Sequence, residues 1–120
     1  METPQITIKK INENLQKLLT VPTYIIGDYS YDTTGQWLTY KGGSTRRLTA
    51  TEGQLLVVFT SKLNTYVSRK ELINTIWNDK DYLNGRSLDI FMSRLRRLLS
   101  KDSAITLQTV YGKGFVMIVD

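Results

Sequence analysis

The sequence predicts an α+β fold in which antiparallel strands come first, helices follow and a β-hairpin ends the chain. Three observations indicate this order. Residues 23–49 mix aromatic and β-branched residues and are interrupted by Gly-containing turns, as in a strand meander. Two Thr/Ser-x-x-Glu boxes, 19 residues apart, then mark two helix starts. Residues 104–119 contain two β-rich runs around Gly112–Lys113–Gly114, which is typical of a hairpin.

The first 22 residues differ from the rest. "ITIKKINENLQKLL" has a weak helical rhythm through Ile8, Ile11, Leu15 and Leu18, and Pro22 ends it. We therefore expect residues 1–22 to be a linker or tail and residues 23–120 to form one domain, an ordinary size for a single domain.

The strand region divides into three apolar or β-branched segments. "TYIIGDYSYD" ends in the turn "TTGQ", "WLTYK" ends at Gly42–Gly43, and "STRRLT" follows. These segments predict three short antiparallel strands, with four strands as the alternative.

Each of the first two helices opens with a capping box. Thr49 precedes Glu52 in "TATEGQLLVVFTSKL", and Ser68 precedes Glu71 in "SRKELINTIW". In such a box the hydroxyl accepts a backbone N–H and the carboxylate returns the bond. A third helix is predicted over residues 86–100, entered through Asn84–Gly85.

The third helix has two chemically different faces. At about 100° per residue, its apolar residues fall inside a stripe roughly 120° wide; they are Leu88, Phe91, Met92, Leu95, Leu98 and Leu99. The residues roughly opposite are Arg86, Ile90, Ser93, Arg94, Arg97 and Lys101. One face is therefore predicted to be buried and the other to be basic, with Ile90 as an apolar residue that the core does not need.

Charge and composition narrow the function. The net charge is +5, and residues 44–120 hold twelve basic and seven acidic residues, whereas residues 1–43 are balanced. This distribution favours a polyanion or an anionic surface as partner, with simple solubility as the alternative.

The chain contains no Cys and no His, so it lacks a thiolate nucleophile and also the commonest general base and metal ligand. We predict no enzyme activity, cofactor or metal.

No membrane association is expected either. No apolar run approaches the roughly 20 residues that span a bilayer. The start "METPQITIKK" lacks the apolar stretch of a secretory signal. A cytoplasmic location is the default expectation.

Three helices followed by a hairpin form the plan of the winged helix-turn-helix. From "LTATEGQLL" through "SRKELINTIW", "RSLDIFMSRLRRLL" and "TVYGKGFVMIV", residues 23–119 resemble the DNA-binding effector domain of OmpR/PhoB-type response regulators. The resemblance implies a four-stranded N-terminal sheet and sequence-specific binding of double-stranded DNA. It also implies transcriptional control by a sensor kinase, acting through a receiver domain that this chain does not include.

The resemblance assigns roles to individual residues. Arg94 would pair bidentately with guanine, and Ile90 would contact a thymine methyl; Ser87, Asp89 and Ser93 lie close enough to contact or orient bases. The expected phosphate contacts are Arg69, Trp77, Arg86, Arg97 and Lys101. The expected wing contacts are Thr109, Tyr111 and Lys113. The loop containing Asp79, Lys80, Asp81 and Tyr82 would touch RNA polymerase.

The wing departs from the family pattern at two positions. Tyr111 stands where Arg is common, and Phe115 stands where Tyr is common. Both changes weaken the expectation that an arginine enters the minor groove, although Lys113 at the tip can contact a phosphate.

The resemblance further implies a monomer off DNA and two copies on direct repeats. Two other function classes stay open. A winged-helix module that binds protein alone would show little salt dependence and would tolerate Arg94→Ala. An enzyme would need a carboxylate pair or a Lys in a cleft, and the sequence shows no such constellation.

Overall fold

The structure, a computed structural model, describes residues 14–77 and 84–120. It confirms the α+β class and the predicted order of strands, helices and hairpin. The strands are β1 (Thr23–Ile26), β2 (Tyr29–Asp32), β3 (Trp37–Tyr40), β4 (Thr45–Arg47), β5 (Tyr66–Val67), β6 (Ile105–Val110) and β7 (Gly114–Val119). The helices are α1 (Ala50–Ser61), α2 (Arg69–Trp77) and α3 (Asn84–Leu98).

The N-terminal sheet has four antiparallel strands in the order β1-β2-β3-β4. This number agrees with the alternative of four strands and with the sheet that the resemblance implies, because the segment 23–32 is itself a hairpin and not one strand. Ile26 pairs with Tyr29, and Gly27 takes a left-handed φ of 57° between them. Glycine adopts that conformation without a steric penalty, so two residues suffice to reverse the chain.

Helix α1 lies at the centre of the core. Its residues Leu55, Leu56, Val57, Val58 and Phe59 are all buried, so it is covered on all sides rather than along one stripe. The predicted capping box is complete: the Thr49 hydroxyl accepts from the Glu52 N–H, and the Glu52 carboxylate accepts from the Thr49 N–H.

The second capping box is only half formed. The Ser68 hydroxyl accepts the N–H of Glu71 at 3.0 Å, as predicted. The Glu71 carboxylate, however, pairs with the ammonium of Lys62 just beyond α1. Glu71 therefore has a charged partner instead of the Ser68 backbone N–H. This ion pair connects the start of α2 to the end of α1.

A second sheet has the order β5-β7-β6, so the C-terminal hairpin is held by a strand that precedes α2. Val67 pairs with Phe115 across β5 and β7. Gly114 has a φ of 144°, and a Cβ at this position would overlap the Val67 carbonyl oxygen. The backbone just before α2 and the turn end of the hairpin are therefore in direct contact.

Residues 14–19 are helical, and Leu15 is only 7% exposed within the core cluster. The Tyr24 hydroxyl donates to the Leu18 carbonyl oxygen at 2.7 Å. This part of the segment assigned to a linker thus packs against the domain. Among the described residues, no helix is long and apolar enough to cross a membrane.

Candidate nucleic-acid interface

Helix α3 separates an apolar face from a basic face, as predicted. Leu88, Met92 and Leu95 are buried, and Leu99 is buried just after the helix, whereas Phe91 and Leu98 are half-buried. The exposed residues are Arg86, Asp89, Ile90, Ser93, Arg94, Arg96 and Arg97, and Ser87 is half-buried. Ile90 is 51% exposed, so it presents an aliphatic surface to solvent between arginines.

Arg94 lies near the middle of the exposed face. Its guanidinium stacks over the Phe91 ring, with 4.9 Å to the ring centroid. Phe91 in turn contacts Trp77, the last residue of α2, with 6.1 Å between ring centroids. The aromatic pair thus supports the Arg94 guanidinium through a cation–π contact. Trp77 is half-buried.

At the N-terminal end of α3, Arg69 and Asp89 form an ion pair. The Arg69 Nη1 donates to Asp89 Oδ1 at 2.7 Å, and Nη2 donates to the Gly85 carbonyl oxygen at 2.9 Å. The Arg69 guanidinium also lies 5.7 Å from the centroid of the Phe115 ring. A predicted phosphate contact and a predicted base contact are therefore bonded to each other in the free domain.

The C-terminal end of α3 is bonded to the N-terminal sheet. The Tyr40 hydroxyl donates to the Lys101 carbonyl oxygen, and the Lys101 N–H donates to the Tyr29 hydroxyl, both at 3.1 Å. The Lys101 ammonium donates to the Ser44 hydroxyl at 3.0 Å. The predicted placement of Lys101 on the basic face of the helix is wrong, because α3 ends at Leu98. A tight turn follows, in which the Ser100 N–H donates to the Arg97 carbonyl oxygen.

Asp102 extends this attachment. Its carboxylate accepts the Asp28 N–H at 2.7 Å and the Ala104 N–H at 2.9 Å. These two backbone hydrogen bonds, the Asp28 bond first, hold the pKa of Asp102 below its ordinary value. The charged carboxylate thus connects the β1–β2 turn to the start of β6.

The hairpin stands beside α2 and α3. Tyr111 at its tip is 94% exposed, and the Lys113 ammonium lies 5.5 Å from the Tyr66 ring centroid. A cleft of about 540 Å³ separates the hairpin from the start of α2; it is lined by Ser68, Arg69, Lys70, Asp89 and residues 109–115. Lys70 and Lys113 give this cleft its net positive charge, because Arg69 is paired with Asp89.

A family model described as "Transcriptional regulatory protein, C terminal" matches residues 43–117. The chain belongs to this family. It is 35% identical over 95 residues to the transcriptional regulatory protein RprY of Bacteroides fragilis, which covers 79% of this chain and 40% of RprY. The chain therefore spans about two fifths of the length of that curated relative.

Two solved structures place the chain in the OmpR/PhoB subclass. The response regulator DrrB of Thermotoga maritima, an OmpR/PhoB homologue, superposes with a TM-score of 0.67 at 25% identity, over 81% of this chain and 44% of DrrB. The DNA-binding domain of CpxR from E. coli gives a TM-score of 0.70 at 26% identity, over 82% of this chain and 97% of that domain. The chain is thus an OmpR/PhoB-type effector domain with a winged helix-turn-helix fold, a transcriptional DNA-binding output domain.

For this effector domain, the structure shows how the wing departs from the family pattern. Phe115 is 3% exposed and belongs to the core under Arg69. A hydroxyl at its place would be buried, so Phe115 serves packing. Tyr111 projects freely, and Thr109 accepts a hydrogen bond from Arg96 at 2.8 Å. The predicted contacts Asp79, Lys80, Asp81 and Tyr82 lie outside the described residues.

Sequence reasoning missed two arginines of the effector domain. Arg96 falls between the two faces of the helical wheel, and it bonds α3 to the wing: its Nε donates to the Leu107 carbonyl and its Nη2 to Thr109, both at 2.8 Å. Arg46 lies in the strand β4 next to Arg97. The alternation of "STRRLT" was a usable signal, since Arg46 shares a strand face with the buried Leu48.

Within residues 14–77 and 84–120, no group of three or more His, Cys, Asp or Glu side chains could hold a metal ion.

Proposed function

We propose that the effector domain inserts the exposed face of α3 into the major groove of double-stranded DNA, as the output module of a two-component response regulator. The observation that carries this proposal is the exposure of Arg86, Arg94 and Arg97 around the exposed Ile90, on a helix whose opposite face is in the core. An α-helix fits the major groove, and arginines on such a helix can donate hydrogen bonds both to base edges and to phosphates.

The residues of this face have different tasks in the proposal. Arg94 donates two hydrogen bonds to guanine O6 and N7, and Ile90 packs against a thymine methyl group. Asp89, Ser87 and Ser93 contact or orient neighbouring bases.

Phosphate contacts surround this base-contacting centre. Arg69 and Arg86 lie toward the N-terminal end of α3, and Trp77 lies beside Phe91 near its middle. Arg97 and Lys101 lie toward its C-terminal end. The wing residues Thr109, Tyr111 and Lys113 contact the backbone next to the groove. None of these roles involves catalysis.

Assembly and partners are part of the same proposal. The domain is a monomer off DNA and binds as two copies on direct repeats about one helical turn apart. Residues 1–22 connect it to a receiver domain that a sensor kinase phosphorylates in the cytoplasm, and the loop at 79–82 contacts RNA polymerase.

The test begins with selection of bound sequences from random duplex DNA. Fluorescence anisotropy on the selected site and on an unrelated duplex then measures affinity between low and moderate salt. Neutralisation of five to seven phosphates gives a log–log slope of about −5 to −6. A flat salt response, or no enriched sequence, would overturn the proposal and favour a module that binds protein alone.

A further inference from the structure

A small basic notch lies where the N-terminal sheet meets the C-terminal end of α3. It has a volume of about 150 Å³. Three cationic side chains line it from separate parts of the chain: Arg46 from β4, Arg97 from α3 and Lys101 from the turn that follows. Ser44 and Tyr40 add two hydroxyl groups to its wall.

The strand register explains why Arg46 lies in the notch. Arg46 pairs with Leu38 on β3, and Leu38 pairs with Tyr31 on β2. Leu38 and Tyr31 are both buried against the helices. Residues in register share one face of a sheet, so Arg46 is on the helix-facing side. Because β4 is the edge strand, its side chain stays exposed and lies beside α3 instead of under it.

The three cations of the notch form no ion pair with the residues that the structure describes. None of its three cations has a carboxylate oxygen within 4.0 Å among residues 14–77 and 84–120. Glu52 lines the adjoining recess with Arg46, Arg94 and Arg97 and adds one negative charge there, which is fewer than the three positive charges of the notch. The notch is therefore a concave site with a local excess of positive charge.

We infer that this notch binds a phosphate group of the DNA backbone, with Arg46 supplying a contact from the N-terminal sheet. The inference rests on the proposed insertion of α3 into the major groove. Arg86 and Arg97 are eleven residues apart on α3, which corresponds to about 16 Å along the axis. The major groove is about 12 Å wide, which is less than this separation. A helix centred on Ile90 and Arg94 therefore brings its two ends close to the phosphates of opposite DNA strands.

In this orientation, the notch lies next to the phosphates of the DNA strand at the C-terminal end of α3. Ser44 already accepts a hydrogen bond from the Lys101 ammonium, so its own proton is available for a phosphate oxygen. Lys101 also lies 5.8 Å from the Tyr40 ring centroid, a contact that keeps the ammonium at the notch. Two cations and a hydroxyl thus surround a space beside Arg46 before any ligand arrives.

Arg47 provides a matched control for Arg46. It is the next residue of the same strand, it is also exposed, and it pairs with Trp37 on the opposite face of the sheet. Arg46→Gln and Arg47→Gln therefore change the charge equally at neighbouring positions on opposite faces. Circular dichroism checks that both variants fold.

We expect Arg46→Gln to weaken binding to selected and unrelated duplexes by the same factor, and to lower the salt slope by about one. Arg47→Gln should leave both quantities near those of the parent domain. A duplex with one neutral methylphosphonate at the flanking position should weaken binding of the parent and of Arg47→Gln, and should weaken binding of Arg46→Gln less, because Arg97 and Lys101 remain in the notch of that variant. Equal slopes for the two variants would overturn the inference while leaving the proposed function intact, since the parent slope tests that function.

A separate measurement distinguishes DNA phosphate from free phosphate. Inorganic phosphate is titrated into the DNA-free domain while the amide signals of Ser44, Arg46 and Lys101 are followed. Saturable shifts at low millimolar phosphate, combined with an unchanged salt slope in Arg46→Gln, would assign the notch to a free anion and overturn the assignment to DNA. Weak or no shifts, combined with the lower slope, support it.

Discussion

The Arg69 guanidinium bonds to both oxygens of the Asp89 carboxylate, at 2.7 Å and 3.4 Å, and the pair joins the start of α2 to the first turns of α3. Two side chains expected on DNA thus neutralise each other in the free domain. DNA binding must either keep this pair as a unit or divert Arg69 to a phosphate.

Removal of the Asp89 carboxylate tests this relationship. We expect Asp89→Ala to strengthen binding to unrelated duplex DNA and to raise the salt slope by about one, because a negative charge disappears and Arg69 becomes free for a phosphate. Discrimination between sites should fall. Stability should change by less than about 1 kcal/mol, since the pair is largely exposed. Asp120→Ala, an equal charge change at the exposed chain end, is the control. Weaker non-specific binding in Asp89→Ala would contradict the prediction.

Adjacent residues on α3 should separate stability from binding. Leu95→Ala removes a buried side chain and should lower the free energy of unfolding by about 2–5 kcal/mol. Arg94→Ala should change it by no more than about 0.5 kcal/mol, yet cost about 1–3 kcal/mol of binding to the selected site. Urea denaturation and anisotropy measure the two quantities. If Arg94→Ala unfolds the domain, or weakens specific and non-specific binding equally, the assignment of Arg94 is wrong.

The link between α3 and the wing should depend on Arg96. Arg96→Met keeps the aliphatic stem but loses the bonds to Leu107 and Thr109, so the free energy of unfolding should fall by about 1–2 kcal/mol. Amide exchange near the end of β6 should become faster. Arg97→Met, on the exposed face, should leave both quantities nearly unchanged. Slow exchange in Arg96→Met would show that β-pairing alone holds the wing.

Asp102 should make part of the stability depend on acid pH. Its pKa in the folded domain is lowered, chiefly by the hydrogen bond from the Asp28 N–H, relative to about 3.9 in an unfolded chain. The stabilisation is therefore present above pH 4 and is lost as the pH falls through the folded-state pKa. Asp102→Asn should be less stable at pH 7 and should lose less stability on acidification below pH 4. Parallel pH profiles for both proteins would contradict this.

The sequence predicted what depends on local periodicity. The Thr49 capping box, the two faces of α3 and the hairpin around Gly112 all follow from residue spacing. The residue pattern alone left three or four strands open, because the Gly27–Asp28 turn lies inside "TYIIGDYSYD", between two runs that both contain β-branched or aromatic residues. The second box was only half right, since Lys62 competes for Glu71 and this competition depends on tertiary structure. Lys101 was misplaced because a helical wheel does not show where a helix ends.

The partners of the site arginines could not be predicted. Arg96 reaches the Leu107 carbonyl, and Arg69 reaches Asp89 twenty positions away. Such bonds depend on how helices and sheets pack, which residue spacing along one element does not encode. The alternation of "STRRLT" could have placed Arg46 on the face of Leu48, but its approach to Arg97 needs both the sheet register and the position of α3.

Attachment at both ends of α3 has a consequence for the thermodynamics of recognition. Arg69 bonds to the Gly85 carbonyl at one end, and Tyr29 and Tyr40 bond to the Lys101 backbone just past the other. A helix fixed in this way has little conformational freedom to lose on binding. Its docking should resemble the association of rigid bodies. The heat-capacity change of DNA binding, measured by calorimetry, should therefore match the buried interface, without the larger value that accompanies coupled folding.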